Sequence, residues 1–264
     1  MEQVPATPEP PLADAIRLLG APGFEAALWQ VFSSLCCLDN LAILIYRDSG
    51  PAEILYTHAE HPQVFAELRN TYTAGAYVLD PYYELHLRAV PSGLYRLRDV
   101  APDAFHRSRY FIEYYDQTTL IDELAFVTYP VNRISLHICL GRDRSSGELF
   151  SVKQIEACRK ISPIITALAE RHWSGLTTRP GPADDVAGQL VRAAFSAHAI
   201  RLSARQAQVA LLILKGHSSV SAALHLGLSP QTIKVFRKQL YARCHISSQA
   251  ELFAIMLPLL KSAV

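Results

Sequence analysis

The sequence predicts an α+β domain followed by an all-α module of four helices. Three observations carry that prediction. Helical and strand periodicities alternate irregularly before residue 177, a Pro/Gly-rich stretch interrupts the chain at 177–185, and capped helical patterns follow residue 198. The bounds that follow are a flexible tail over 1–11, an α+β domain over 12–176, a linker with a connecting helix over 177–197, and the helical module over 198–264.

Each element has its own signal. Phe24 to Cys36 repeats apolar residues at helical spacing, and Leu41-Ala-Ile-Leu-Ile-Tyr46 is an apolar run of strand length. Glu53-Ile-Leu-Tyr56 predicts a second strand after the Ser49-Gly-Pro51 turn, and Gln63 to Tyr72 predicts a helix. At Asp80-Pro81 the proline fixes its own φ and suits a first helical position, with Asp80 as N-cap. Ala125 to Val131 and Ile134 to Leu140 predict a hairpin around Asn132-Arg133. Val152 to Trp173 predicts a long amphipathic helix, with Ile155, Cys158, Ile161, Ile165, Leu168 and His172 along one face. This order makes an antiparallel sheet flanked by helices, a plan similar to sensor domains of the GAF and PAS type.

Composition bounds the function. The chain has 264 residues, 50% hydrophobic and 19% charged, enough for a packed core. Its net charge of +1 hides an asymmetry. From Arg201 onward there are eight Lys/Arg against one acid, Glu251, which leaves 17 bases and 23 acids before it. A basic module for an anionic partner, joined to an acidic domain, is the reading. Cys36, Cys37, Cys139, Cys158 and Cys244 form no Cys-x-x-Cys pair, so reduced, mostly buried thiols in a cytoplasmic protein are expected. Met1 to Pro11 lacks a signal-peptide pattern, and no apolar run approaches the ~18 residues of a membrane span. No membrane partner is expected.

The helical module carries the sharpest signal. Leu202-Ser-Ala-Arg-Gln206 is a capping box on Ser203, and Gly216 ends the helix it opens. A short helix over Val220 to Leu226 and a turn at Gly227 lead to Ser229-Pro230, an N-cap and N1 proline for a third helix. Ser248-Gln-Ala-Glu251 opens a fourth. A short helix, a tight turn and a basic helix are the parts of a helix-turn-helix. At 100° per residue, Ile233, Phe236, Leu240 and Cys244 share the inward face of the third helix. Gln231, Lys234, Val235 and Lys238 project outward, with Arg237 and Tyr241 on the flanks. Lys can donate to guanine O6 and N7, Val can meet a thymine methyl, and the capped N-terminus with Ser229 and Thr232 suits a phosphate. The competing account is an ordinary solvated basic face; the coincidence of caps, turn glycine and charge sorting favours double-stranded DNA.

Leu202-Ser-Ala-Arg-Gln, Gly216-His-Ser-Ser, Ala223-Leu-His-Leu-Gly-Leu-Ser-Pro-Gln-Thr-Ile-Lys234 and Arg237-Lys-Gln-Leu-Tyr-Ala-Arg243 resemble the LuxR-type helix-turn-helix over roughly residues 200–257. The resemblance implies that Lys234, Val235 and Lys238 meet base edges. The sequence departs from the family pattern at Gln206, Ser219 and Ser221, outside the reading face, and at Phe236, which enlarges the apolar seat.

LuxR-type modules are joined to receiver domains or to ligand-binding domains. Paired acids at a strand end and regular βα alternation are missing here, which argues against a receiver. Asp80-Pro81 resembles the Asp-Pro step of the acyl-homoserine lactone receptors, in which the Asp takes the ligand's amide. The Trp-x-x-x-Tyr pair of those receptors falls near Glu67 and Thr71, which do not match, so another small molecule is expected. Eight of twelve tyrosines lie between Tyr72 and Tyr115, with acids in Tyr110-Phe-Ile-Glu-Tyr-Tyr-Asp116 and Ile121-Asp-Glu-Leu124. The expected ligand residues are Asp80, Tyr82, Tyr83, Tyr77, Tyr72, Tyr114 and Tyr115. An aromatic wall with carboxylates suits a cationic or amide ligand, although each tyrosine taken singly fits ordinary packing as well.

No catalytic constellation stands out. His137 and Cys139 share a strand face without a third, orienting group, and no phosphate loop or metal spacing suggests a cofactor. The expectation is a one-component, homodimeric transcription regulator that senses a small-molecule effector. Its runner-up is a ligand-independent regulator whose larger domain dimerises or recruits a protein such as RNA polymerase.

Overall fold

A computed structural model describes residues 9–178 and 185–263. Most of the expected linker, and residues 1–8 of the expected tail, lie outside the described residues. Helices α1 (Glu9–Arg17) and α2 (Phe24–Cys36) precede strands β1 (Asn40–Arg47) and β2 (Glu53–Ala59). Helix α3 (Pro81–Leu87), strand β3 (Gly93–Arg96) and the short α4 (Leu97–Val100) and α5 (Arg109–Glu113) follow. The hairpin β4 (Leu120–Val131) and β5 (Ile134–Asp143) leads into α6 (Val152–His172). The C-terminal helices are α7 (Val186–His198), α8 (Ala204–Lys215), α9 (Ser219–Leu226), α10 (Pro230–Cys244) and α11 (Gln249–Ala263).

The five strands are ordered β2-β1-β5-β4-β3, each neighbouring pair antiparallel. Strand β1 is buried at every position, which accounts for its unbroken apolar run. Because side chains alternate across a strand, the sheet sorts them into two cores. Leu41, Ile43, Ile45, Leu124, Phe126, Leu136 and Ile138 face α2 and α6. Ala42, Leu44, Tyr46, Ala125, Val127 and Cys139 face a layer of tyrosines and, beyond it, the C-terminal helices.

Two expectations need correction. Gln63 to Tyr72 forms no continuous helix; it breaks into a 3-10 turn at Pro62–Phe65 and a π turn at Leu68–Tyr72. In this stretch only Val64 and Tyr72 are buried, so the full helical face that propensity suggested has little to pack against. The connecting helix α7 is part of the C-terminal bundle: Leu190 and Ala194 are fully buried in one core with α8 and α11.

The two parts of the chain are docked. Lys215 Nζ donates to Glu84 Oε2 at 2.8 Å, the Ala104 N–H to the Gly216 carbonyl at 2.9 Å, and the Ser218 N–H to Asp103 Oδ1 at 2.9 Å. Gly216 has φ +95°, and a Cβ there would lie 2.8 Å from Phe105 Cα. A glycine is therefore required twice over, as helix cap and as contact point. Among the described residues no helix is long and apolar enough to cross a membrane.

Candidate functional site

Helix α10 begins as its sequence dictates. Ser229 Oγ accepts from the Thr232 N–H at 3.0 Å, Pro230 occupies the first turn, and Gly227 takes φ +65° in the turn before it. Helix α8 has the full capping box: Gln206 N–H to Ser203 Oγ at 3.2 Å and Ser203 N–H to Gln206 Oε1 at 3.0 Å. Gln206 is buried, and its neutral amide fills this place without burying a charge. At the fourth cap Ser248 Oγ accepts from the Glu251 N–H at 3.2 Å as expected, but the reciprocal bond is shifted, since Glu251 takes the Ser247 N–H.

Along α10, Ile233, Leu240 and Cys244 are buried and Phe236 half-buried, while Gln231, Lys234, Val235 and Lys238 are exposed. The projection read from the sequence is thus the arrangement of the helix. Ser229 and Thr232 are tied to each other at 2.8 Å at the helix start. Arg237 sits apart, half-buried with its guanidinium 5.1 Å from the Tyr241 ring centre.

The second site is a cavity between the sheet and the tyrosine layer. It offers about 50 Å³ of space to water-sized spheres, room for a few water molecules. Tyr72, Asp80, Tyr82, Tyr114 and Tyr115 line it, as expected; Tyr77 and Tyr83 do not. Behind it, Tyr77 stacks on Tyr46 with centroids 6.1 Å apart and Tyr83 meets Tyr46 edge-on at 5.3 Å. Tyr110, Glu123 and Cys139 also line it; the sequence placed the first two in acid-bearing segments of the tyrosine cluster and Cys139 beside His137, but chose none of them as a ligand residue. Alternation along β4 held the signal for Glu123, since it shares a face with Ala125 and Val127.

Asp80 is the N-cap of α3, accepting from the Tyr82 N–H at 2.8 Å, and it also accepts from the Tyr72 hydroxyl at 2.7 Å. Tyr72 in turn bonds Tyr46. Glu123 accepts from the Tyr115 hydroxyl at 3.3 Å, and its own carbonyl accepts from Tyr82 at 3.1 Å. Burial raises the Asp80 carboxyl to about 6, against the pull of the Tyr72 and Tyr82 donors. Burial, then the charge of Asp80, raises Glu123 to about 8.

A further polar cluster lies behind the cavity. Ser135 Oγ is 2.9 Å from His86 Nδ1 and 3.1 Å from His137 Nε2, and Asp48 stands 3.8 Å from His86. The connectivity is that of a nucleophile, base and orienting acid, but Ser135 is fully buried and lines none of the described cavities. It serves as a core hydrogen-bond network.

Residues 201–256 match the family model of bacterial regulatory proteins, luxR family. The C-terminal module is a LuxR-family helix-turn-helix. Over 185 residues the chain is 26% identical to an inferred HTH-type transcriptional regulator of the exeN 3′ region in Aeromonas salmonicida, covering 67% of this chain and 93% of that protein. The crystal structure of the VqsR LBD domain from Pseudomonas aeruginosa matches with TM-score 0.53 and 24% identity, over 63% of this chain and 96% of that one. Escherichia coli SdiA aligns over 95% of this chain and 91% of its own at 13% identity, with TM-score 0.38, too distant to inform the domain arrangement. The α+β domain in front of the LuxR-type module therefore has the fold of the VqsR LBD domain, and the match gives the GAF/PAS likeness no separate support.

Proposed function

We propose that this chain is a one-component regulator. A small molecule binds the Asp80–Glu123 cavity, and the response is carried to the LuxR-type module through helix α3. The observation that carries the DNA half is the exposed Gln231–Lys234–Val235–Lys238 face, set on a helix with a capped, phosphate-ready start. The sensing half rests on a cavity whose polar groups converge among tyrosines. Action as a homodimer on paired half-sites fits the few bases one module can reach, and α6 and α7 are candidate surfaces with exposed Ile164 and Phe195.

The DNA half is tested by selecting bound fragments from sheared bacterial DNA with the full chain and with the Lys234→Ala, Lys238→Ala double variant. A shared motif recovered only by the unchanged chain supports the reading; identical recovery by both sinks it. The runner-up is a large domain that only dimerises or recruits polymerase. A thermal-shift screen across amines, amino acids and lactones separates the two, since any ligand of the native state raises Tm. No stabilisation across the screen would favour the runner-up.

A further inference from the structure

The acids around the tyrosine layer divide into two groups. Glu113 is bonded by Arg109, the Asp116 carboxylate by Arg144 and Asp122 by Arg96, the last at 2.6 and 3.1 Å. Asp80 and Glu123 have neutral donors only, and the lining of their cavity holds no Lys, Arg or His. Two carboxyl groups thus face this cavity with no positive charge in its lining, and Glu123 also borders a neighbouring cavity that holds Arg98, His106 and Arg144. Five tyrosine rings surround the same space: Tyr72, Tyr82, Tyr110, Tyr114 and Tyr115. Aromatic faces attract cations, and carboxylates desolvated beside them strengthen that attraction. Apolar lining by Leu44, Val64 and Leu68 suits a hydrocarbon tail.

Building on the sensor reading above, we propose that this cavity takes a small organic cation, an alkyl- or arylalkylammonium whose nitrogen lies between Asp80 and Glu123. An anionic ligand would meet the Asp80 charge with no cation in the lining to offset it. A neutral amide or lactone would satisfy Asp80 and leave the second carboxyl protonated and unused.

Binding must then move a proton. At neutral pH Glu123, raised to about 8, holds its proton while Asp80, at about 6, is mostly ionised. The incoming ammonium replaces that proton, which leaves to solvent, so the net charge of the site is unchanged. The other titratable groups facing the two acids do not compete in this range. Burial pushes the Tyr72, Tyr82, Tyr110, Tyr114 and Tyr115 phenols well up, and the Cys139 thiol with them. Asp122, beside Glu123, is engaged by Arg96, and His137, next along β5, is held neutral by burial with its value pulled down to about 3. Glu67 acts on Tyr114 and accepts from Thr71, and Arg98, His106, Asp116 and Arg144 border Glu123 across the neighbouring cavity.

The test uses the full chain in thermal-shift and isothermal titration experiments with butylammonium and phenethylammonium. Phenylethanol, phenylacetate and octanoyl-homoserine lactone serve as uncharged and anionic counterparts. At least one amine should raise Tm and bind about tenfold or more tighter than the counterparts. Its affinity should rise about tenfold from pH 6 to pH 7 and level off above pH 8, with close to one proton released per amine at pH 7. Glu123→Gln should flatten that profile and weaken binding about tenfold. Asp80→Asn, which preserves the helix cap, should weaken it comparably. Equal or tighter binding of an uncharged or anionic probe overturns the cation class and leaves the sensor reading standing, as does amine binding that ignores both pH and Glu123→Gln. If no amine binds, the cation class falls, and the sensor reading falls with it only if the other probes fail as well.

Discussion

Glu84 of α3 accepts from Lys215 of α8 at 2.8 Å, and it lies one turn beyond Asp80, the N-cap of the same helix. A seven-residue helix thus carries a cavity carboxylate at its start and an anchor for the DNA-binding module in its middle. Burial alone would raise the Glu84 carboxyl, but the Lys215 charge and hydrogen bond outweigh it and hold the group low. His225 stands 4.0 Å away on α9, on the helix-turn-helix itself. Helix α3 therefore joins the Asp80 cavity to α8 within a single turn.

This linkage is testable by a double-mutant cycle. Glu84→Gln and Lys215→Met should each loosen docking, with a coupling of about 1–2 kcal/mol, between the values of exposed and buried pairs. Amide hydrogen exchange in α3 and at the end of α8 should speed up in both variants. A coupling near zero would show that α3 and α8 are neighbours without being partners.

Gly216 offers a steric handle on the same interface. Gly216→Ala places a methyl group against the Phe105 backbone at 2.8 Å and strains a φ of +95°. The expected loss is about 1–3 kcal/mol by thermal or urea unfolding. Gly227→Ala is the control: φ is +65° there and nothing lies within 4 Å of a new Cβ, so it should show strain alone and a smaller loss.

The ligand-free protein should also report its unbalanced acids. Asp80 and Glu123 have folded-state values of about 6 and about 8, above their ordinary carboxylate values. Groups shifted that way stabilise the fold fully below pH ~4 and lose that contribution as pH rises through 6 to 8. Glu123→Gln removes the larger of the two effects. At pH 8.5 this variant should be more stable than the unchanged chain by about 1–3 kcal/mol, allowing for the partly open position of the group. At pH 4.5 the two should be nearly equal. A gap that is the same at both pH values would show that Glu123 has no raised pKa.

Helix α10 was legible in the sequence because its determinants are local. Ser229 caps, Pro230 starts, Gly227 turns, and the 3.6-residue repeat alone separates Ile233 and Leu240 from Lys234 and Lys238. The cavity was legible only in part. Asp80 announced itself by its proline, and Tyr72, Tyr82, Tyr114 and Tyr115 by their clustering, but clustering could not tell a lining ring from one behind it. Tyr77 and Tyr83 lie on the wrong side of that division, which is set by how α3 and the turn Ala76–Leu79 before it pack on Tyr46. Glu123 and Cys139 reach the cavity from β4 and β5, so their meeting with Asp80 is a product of sheet order that no local pattern encodes. Docking through Gly216 and Glu84 is likewise a contact between distant segments. The broken stretch from Pro62 to Tyr72 failed for the converse reason: its local pattern was helical, and the packing was not.

The most direct test of the central claim is a fluorescence-anisotropy titration of the full chain on its selected DNA, repeated across a salt series. The unchanged chain should bind with an affinity that falls steeply with salt. Lys234→Ala with Lys238→Ala should cost about 2–6 kcal/mol of specific binding and flatten the salt slope if either lysine also neutralises a phosphate, with melting temperature preserved because both side chains are exposed. Unchanged affinity and sequence preference in a folded double variant would contradict the assignment of α10 as the DNA-reading helix.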